Sequence, residues 1–205
     1  SPSSFVSHGQ LIAEHESARG FATRLDKLDW DFFLFNVTDA CNLRCRYCYS
    51  LSNDKTKGTI SVLDVLKRLV DLAPYRLAVE LHGGEPLIAF PELEEAVARA
   101  EEYASEQNKT ISFLVVTNGT LIDHDVAAFF LEHGFSVIVS LDGPQEIHDR
   151  YRINAQGKGS YARVIEGIRW LQSLNIPFAV NSVVTTDSVE GILQVFEHHL
   201  EHNIH

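Results

Sequence analysis

The sequence predicts an α/β protein: a partial (β/α) barrel of about five to six parallel strand–helix units forming an open, curved sheet. Three observations carry that prediction. Short apolar, β-rich runs alternate with amphipathic helical runs along most of the chain. The strand runs are apolar enough to suggest cover on both faces, which points to parallel strands joined by right-handed crossovers. The chain has 205 residues, whereas a closed eight-unit barrel needs about 250.

Each element follows from its residues. Residues 32–37 (FFLFNV) read as a buried strand, and a cysteine-bearing loop comes next. Residues 61–73 read as a helix with Val62, Val65, Leu66, Leu69 and Val70 on one stripe, and Ser61 with Asp64 suggests a capping box. LAVEL at 77–81 is the second strand. Pro91 opens the second helix, with Leu93, Ala96, Val97, Ala100 and Tyr103 on one face. The third strand covers 111–116, and the third helix runs 123–133 until Gly134 stops it. The fourth strand covers 135–141. The fourth helix, 160–174, turns Val164, Ile165, Ile168 and Leu171 inward. Residues 178–184 form the fifth strand, and the fifth helix runs from 188 to about 201. Residues 1–30 lack a partner in this pattern and are expected to be an N-terminal appendage. No linker interrupts 31–205, which is expected to be one domain.

Composition narrows the function classes. The chain is 45% hydrophobic and 22% charged, as in ordinary globular domains. Seventeen basic against 28 acidic residues give a net charge of −11. This disfavours nucleic acid and anionic membranes as partners. No apolar run is long enough to cross a bilayer, and the N-terminus has no secretory signal. The three cysteines, Cys41, Cys45 and Cys48, fall within eight residues. An odd, tight set is not a disulfide framework, so a reducing, cytoplasmic setting is expected. Three thiolates at spacings of four and three converge naturally on one soft metal centre.

In a parallel α/β fold, ligands sit at the carboxyl ends of the strands. The loops at those ends carry the chemistry-bearing residues. The first has Thr38-Asp39-Ala40 and the cysteines. The second has His82-Gly83-Gly84-Glu85-Pro86, and the third Thr117-Asn118-Gly119-Thr120. The fourth has Ser140-Leu141-Asp142-Gly143-Pro144, followed by His148-Asp149-Arg150-Tyr151-Arg152. The fifth strand carries Asn181-Ser182.

Taken in this order, the motifs resemble the radical S-adenosylmethionine (SAM) enzymes. CNLRCRYC at 41–48 is similar to their CxxxCxxC signature, with an aromatic residue before the third cysteine. HGGEP resembles their GGE motif. TNGT, SLDGP and HDRYR resemble the subgroup that modifies peptides and proteins. That subgroup includes anaerobic sulfatase-maturating enzymes and maturases of ribosomally made peptides. The resemblance runs from about residue 32 to 184. It implies a 4Fe–4S cluster on Cys41, Cys45 and Cys48, with one iron left open for SAM. It further implies reductive cleavage of SAM to a 5′-deoxyadenosyl radical, which abstracts hydrogen from a peptide or protein substrate. A flavodoxin- or ferredoxin-type electron donor goes with that oxidoreductase chemistry. Maturation of a ribosomal peptide by crosslink or thioether formation is the first expectation, and formylglycine generation in a sulfatase is the second.

The resemblance also suggests roles for the loop residues. Gly83 and Gly84 would let the backbone approach the methionine moiety of SAM, and Glu85 would accept from its ammonium group. Tyr47 would pack beside cluster and adenine. Ser140 and Asn181 would hold ribose hydroxyls or the carboxylate. Asn118 and Asp142 would reach the ligand from the mouth, and Arg152 would grip a carboxylate. Each has a plainer reading: a tight turn at Gly83–Glu85, a core aromatic at Tyr47, local backbone bonding at Ser140, Asn118, Asp142 and Asn181, and a surface salt bridge at Arg152 or Asp149. FEHHLEH at 196–202 resembles a metal patch but is expected to be the polar face of the last helix. A protein of another class, a non-catalytic zinc or iron–sulfur module, would use the cysteines alone. The chain begins at Ser1, has no methionine, and carries no cysteine after Cys48. Against the resemblance, 31–205 is therefore read as a radical SAM core whose C-terminal end and auxiliary-cluster region are missing.

Overall fold

The computed structural model describes residues 31–49, 61–186 and 188–204. The expected N-terminal appendage lies outside the described residues. Five strands form one parallel sheet in the order β1-β2-β3-β4-β5: Phe32–Thr38, Arg76–Gly83, Thr110–Thr117, Ser136–Ser140 and Phe178–Asn181. The helices are α1 Val62–Leu72, α2 Phe90–Glu106, α3 His124–Glu132, α4 Gln145–Tyr151, α5 Tyr161–Ser173 and α6 Ile192–Glu201. The expected open α/β sheet is present. Its sequential strand order explains the architecture: successive right-handed crossovers all pass on one side, so the helices gather on one face.

Register fixes which residues take that face. Val79 pairs with Phe33 and Phe113, and Leu81 with Phe35 and Val115. Val115 pairs with Val137, and Val137 with Phe178. These side chains join the helix stripes in one core. The alternate set includes Leu34, Glu80, His82, Leu114, Val116, Ser140 and Asn181. On β1 it is open: Phe32 is 51% and Leu34 56% exposed. Cover on both faces is thus not what the described residues show. The strands read as continuously apolar because the second face carries apolar residues too, while only one receives helices.

Local signals held well. Ser61 caps α1 by accepting from the Asp64 N–H at 3.4 Å. Asp123 caps α3 by accepting from the Val126 N–H at 3.0 Å. Gly134, at φ +61°, ends the α3 turn in a left-handed conformation, and the Phe135 N–H returns to the Phe130 carbonyl. Two elements were not foreseen: α4, and a 3₁₀ turn at Pro86–Ala89 after the glycine pair. The last helix reverses its expected orientation. His198 is 7% exposed, whereas Leu193 is 72% and Phe196 61% exposed. The histidine segment is therefore not a polar outer face. Tyr161 bonds His198 Nε2 at 2.6 Å, and Ser182 bonds His199 Nε2 at 3.0 Å, so polar partners draw these histidines inward.

Candidate active site

The cysteine loop leaves β1 and is tied down at both ends. The Gly84 N–H donates to the Thr38 carbonyl at 2.7 Å, and the Glu85 N–H to the Ala40 carbonyl at 2.8 Å. A Cβ on Gly83 would stand 2.4 Å from the Thr38 oxygen, and one on Gly84 2.2 Å from the Ala40 oxygen. Backbone meets backbone here, so only glycine fits. Farther along, the Arg44 N–H donates to the Ile153 carbonyl and the Arg46 N–H to the Tyr151 carbonyl, at 2.6 and 2.9 Å. Leu43 also forms an antiparallel bridge with Asn154. The end of the HDRYR segment is thus a strap across the cysteine loop. Nothing in either segment alone signalled that pairing.

Cys41, Cys45 and Cys48 are free thiols. All three line one cavity of about 350 Å³ at the carboxyl ends of the strands, a volume typical of small-ligand sites. Tyr47, Gly83, Gly84, Asn118, Ser140, Arg152 and Asn181 line it too. His82 and Val116 join them. The sequence suggested no role for either, although His82 opens HGGEP and strand alternation places both on the same face as Ser140 and Asn181. The Ser140 and Asn181 side chains make no hydrogen bond among the described residues, so their polar atoms are available to a ligand.

Asn118 bridges to the first cysteine. Its Nδ2 lies 3.9 Å from Cys41 Sγ and donates to Asn42 Oδ1 at 2.8 Å. The Leu43 N–H also reaches Cys41 Sγ, at 3.4 Å. Burial pushes the Cys41 thiol up, partly offset by those donors. Burial pushes the Cys45 thiol up to about 11, against the opposing pull of Arg152. Loading a soft centre on these thiols therefore displaces protons.

The two acids expected at the ligand, Glu85 and Asp142, are not among the cavity-lining residues. Glu85 is fully buried. Its Oε1 accepts from the Leu87 N–H at 3.1 Å and the Thr117 hydroxyl at 2.7 Å, and its Oε2 from the Asn118 N–H at 2.7 Å. Burial raises its pKa while these donors lower it. Asp142 receives Arg152 Nε at 2.9 Å and Nη2 at 3.1 Å, the Tyr47 hydroxyl, and the Val183 N–H at 3.0 Å. Burial opposes the charge on Arg152, but Asp142 outweighs it and the arginine pKa rises. Asp149 stands apart: it accepts from the Tyr161 N–H at 2.9 Å, at the start of α5.

Below Asp142 a histidine is locked in one tautomer by its partners. The Asp142 N–H donates to His148 Nδ1 at 3.3 Å. Ser160 donates its hydroxyl to the Arg152 carbonyl at 2.8 Å, so His148 Nε2–H is the donor to Ser160 Oγ at 2.9 Å. Burial, then Arg152, pushes the His148 pKa down to about 4.

The donor set is chemically consistent with a multi-iron cluster: three soft thiols, one cavity, and no disulfide. Among the described residues, no three His, Cys, Asp or Glu side chains gather closely enough to hold a single metal ion. Fold and site together define an α/β protein with a thiol-lined cofactor mouth at its strand ends. The model of the Radical SAM superfamily matches residues 35–198, and the chain belongs to that superfamily. Its cofactors are a 4Fe–4S cluster and SAM.

Similarity extends to particular proteins. The chain is 31% identical over 166 residues to a cysteine-type anaerobic sulfatase-maturating enzyme of Clostridium novyi, covering 77% of this chain and 44% of that one. It is 32% identical over 180 residues to a serine-type enzyme of the same name from Bacteroides thetaiotaomicron, covering 82% and 43%. The structure of native anSMEcpe with bound AdoMet and Cp18Cys peptide superposes with a TM-score of 0.78 at 27% identity, over 85% of this chain and 49% of that chain. The chain thus spans about half the length of the curated relatives it matches.

Proposed function

We propose that this chain carries the cofactor-binding, radical-generating part of an enzyme that modifies a peptide or protein. The observation that supports this reading best is the meeting of Cys41, Cys45 and Cys48 with Gly83, Gly84, Asn118, Ser140, Asn181 and Arg152 around one cavity. The three cysteines would hold a 4Fe–4S cluster, leaving one iron for SAM. When bound there, the pair would supply radical chemistry able to take a hydrogen atom from a substrate. Ser140 and Asn181 offer free polar atoms to SAM. Gly83 and Gly84 keep the mouth open by letting β1 and β2 close tightly behind it. The open sheet face below the mouth is where a substrate side chain would reach.

A peptide substrate is supported by the peptide-bound structural neighbour. Maturation of a ribosomal peptide, by crosslink or thioether, is our first reading of the product. Similarity to cysteine- and serine-type sulfatase maturases supports a second, formylglycine generation. A flavodoxin- or ferredoxin-type donor would supply the electron in either case.

The test is anaerobic. Protein reconstituted with iron and sulfide is mixed with SAM and dithionite, and 5′-deoxyadenosine is assayed beside Cys45→Ala. Brown protein and cysteine-dependent 5′-deoxyadenosine are expected. A colourless zinc protein, or full SAM cleavage by Cys45→Ala, would sink the reading.

A further inference from the structure

Tyr47, Asp142 and Arg152 come from three separate segments and form one hydrogen-bonded group, with Asp142 and Arg152 buried and Tyr47 half-buried. The Asp142 carboxylate takes four donors: both Arg152 nitrogens, the Tyr47 hydroxyl and the Val183 N–H. Asp142 is 2% and Arg152 7% exposed. The guanidinium carbon lies 5.4 Å from the Tyr47 ring centroid, and Tyr47 itself sits between Cys45 and Cys48 in sequence. Arg152 lines the cysteine cavity, whereas Asp142 stands behind it. Of the two opposite charges, only Arg152 faces the cavity that the thiols line.

We infer that Asp142, Arg152 and Tyr47 form a charge clamp that sets the reduction potential of the centre held by the three cysteines. The inference rests on the cluster reading above. Adding an electron to a thiolate-bound centre is favoured by nearby positive charge and opposed by negative charge, and the surrounding low dielectric strengthens both effects. Arg152 raises the potential, Asp142 lowers it, and their pairing keeps the net field small. A low potential suits a centre that must give up its electron reductively. Because Arg152 lines the cavity and Asp142 does not, its loss has the larger effect. All three are positioning residues: they act on the centre through its surroundings.

The experiment is a redox titration of the anaerobically reconstituted chain, followed by the paramagnetic signal of the reduced cluster. Asp142→Asn should shift the potential positive. Arg152→Gln should shift it negative, and by more. Tyr47→Phe removes one donor from Asp142 without changing charge, so a small negative shift is expected. Arg152→Lys keeps the charge and loses the two-pronged bond; it should load cluster and stay near the parent potential, and it carries the test if Asp142→Asn does not fold. Shifts of the same sign in Asp142→Asn and Arg152→Gln would overturn the clamp. So would an Arg152→Lys potential matching that of Arg152→Gln, or lost iron loading at unchanged potential. A parent chain that takes up no iron–sulfur centre would overturn the cluster reading and the clamp together. A cluster that cleaves SAM but lacks opposite shifts overturns the clamp alone.

Discussion

The cavity is braced by two buried carboxylates, and the two ends of the sheet hold them differently. At the β2–β3 end, Glu85 is held by two backbone N–H groups and one hydroxyl, all neutral. At the β4–β5 end, Asp142 is held by a two-pronged arginine as well as a tyrosine and a backbone N–H. Neutral donors offset burial only in part, so the Glu85 pKa rises. The charged pair instead depends on both members being present, since removing one strands the other. The first brace is a hydrogen-bond problem and the second an electrostatic one.

The largest effect should come from breaking the charged pair. Asp142→Ala leaves Arg152 buried and unpaired and should cost about 3–5 kcal/mol in urea denaturation. Pairing Asp142→Leu with Arg152→Met should recover most of that loss, because two apolar groups have no stranded charge. A double variant no more stable than Asp142→Ala would show that the pair does more than neutralise itself.

Glu85→Ala should come next. It orphans three donors, at about 1–3 kcal/mol for each one that water cannot reach. Relaxation of the loop should hold the total near 3 kcal/mol. No single partner change should rescue it, in contrast to Asp142. A rescue by Thr117→Val alone would break the comparison.

Acid should separate the two ends further. The folded pKa of His148 is about 4 against an ordinary 6.5. The unfolded chain therefore takes up a proton that the folded chain refuses. Stability present above about pH 6.5 is lost as pH falls towards 4, at no more than about 1.4 kcal/mol per pH unit for this histidine. His198, pushed down to about 4 by burial and then by His202 and His199, adds to the same loss. Glu85 runs the other way: its raised pKa means the fold binds that proton better than the unfolded chain does, so acid costs nothing there. Amide exchange between pH 7 and 5, corrected for intrinsic rate, should show Tyr161 and Val183 losing protection while Leu87 and Asn118 keep theirs. Equal loss at both ends would contradict this.

The smallest contrast is a pair of single-bond deletions. Thr117→Val removes one donor to Glu85 and should cost about 1 kcal/mol. Tyr47→Phe removes a donor from a charged acceptor and should cost about 2 kcal/mol. Equal costs would mean that the two carboxylates differ less than their partners suggest.

Much of this was legible in the chain. Ser61 as a cap and Gly134 as a stop read correctly because both act within a few residues. The stripes of α1 and α2 did so because one helix face meets one core. The cysteines and the glycine pair were placed at the strand ends by the alternation of elements alone. The helix α4 was not seen, because HDRYR was read as a chemical motif and seven residues give too little periodicity. The orientation of α6 was misread for a related reason. A run of histidines looks polar and outward, yet Tyr161 and Ser182 offer partners that bring His198 and His199 in, leaving Leu193 and Phe196 outside.

The sequence by itself determined the order of strands and helices, the three thiols, and the loops that gather around them. These depend on periodicity, short-range caps and residue type, all carried by neighbouring residues. Only the tertiary structure decided where Glu85 and Asp142 point. A buried carboxylate goes to the strongest donors within reach: Asn118 lies 33 residues from Glu85, and Arg152 meets Asp142 only because α4 folds the chain back between them. The same fold decided that the strap at residues 151–154 crosses the cysteine loop, because backbone pairing across more than a hundred residues leaves no local mark.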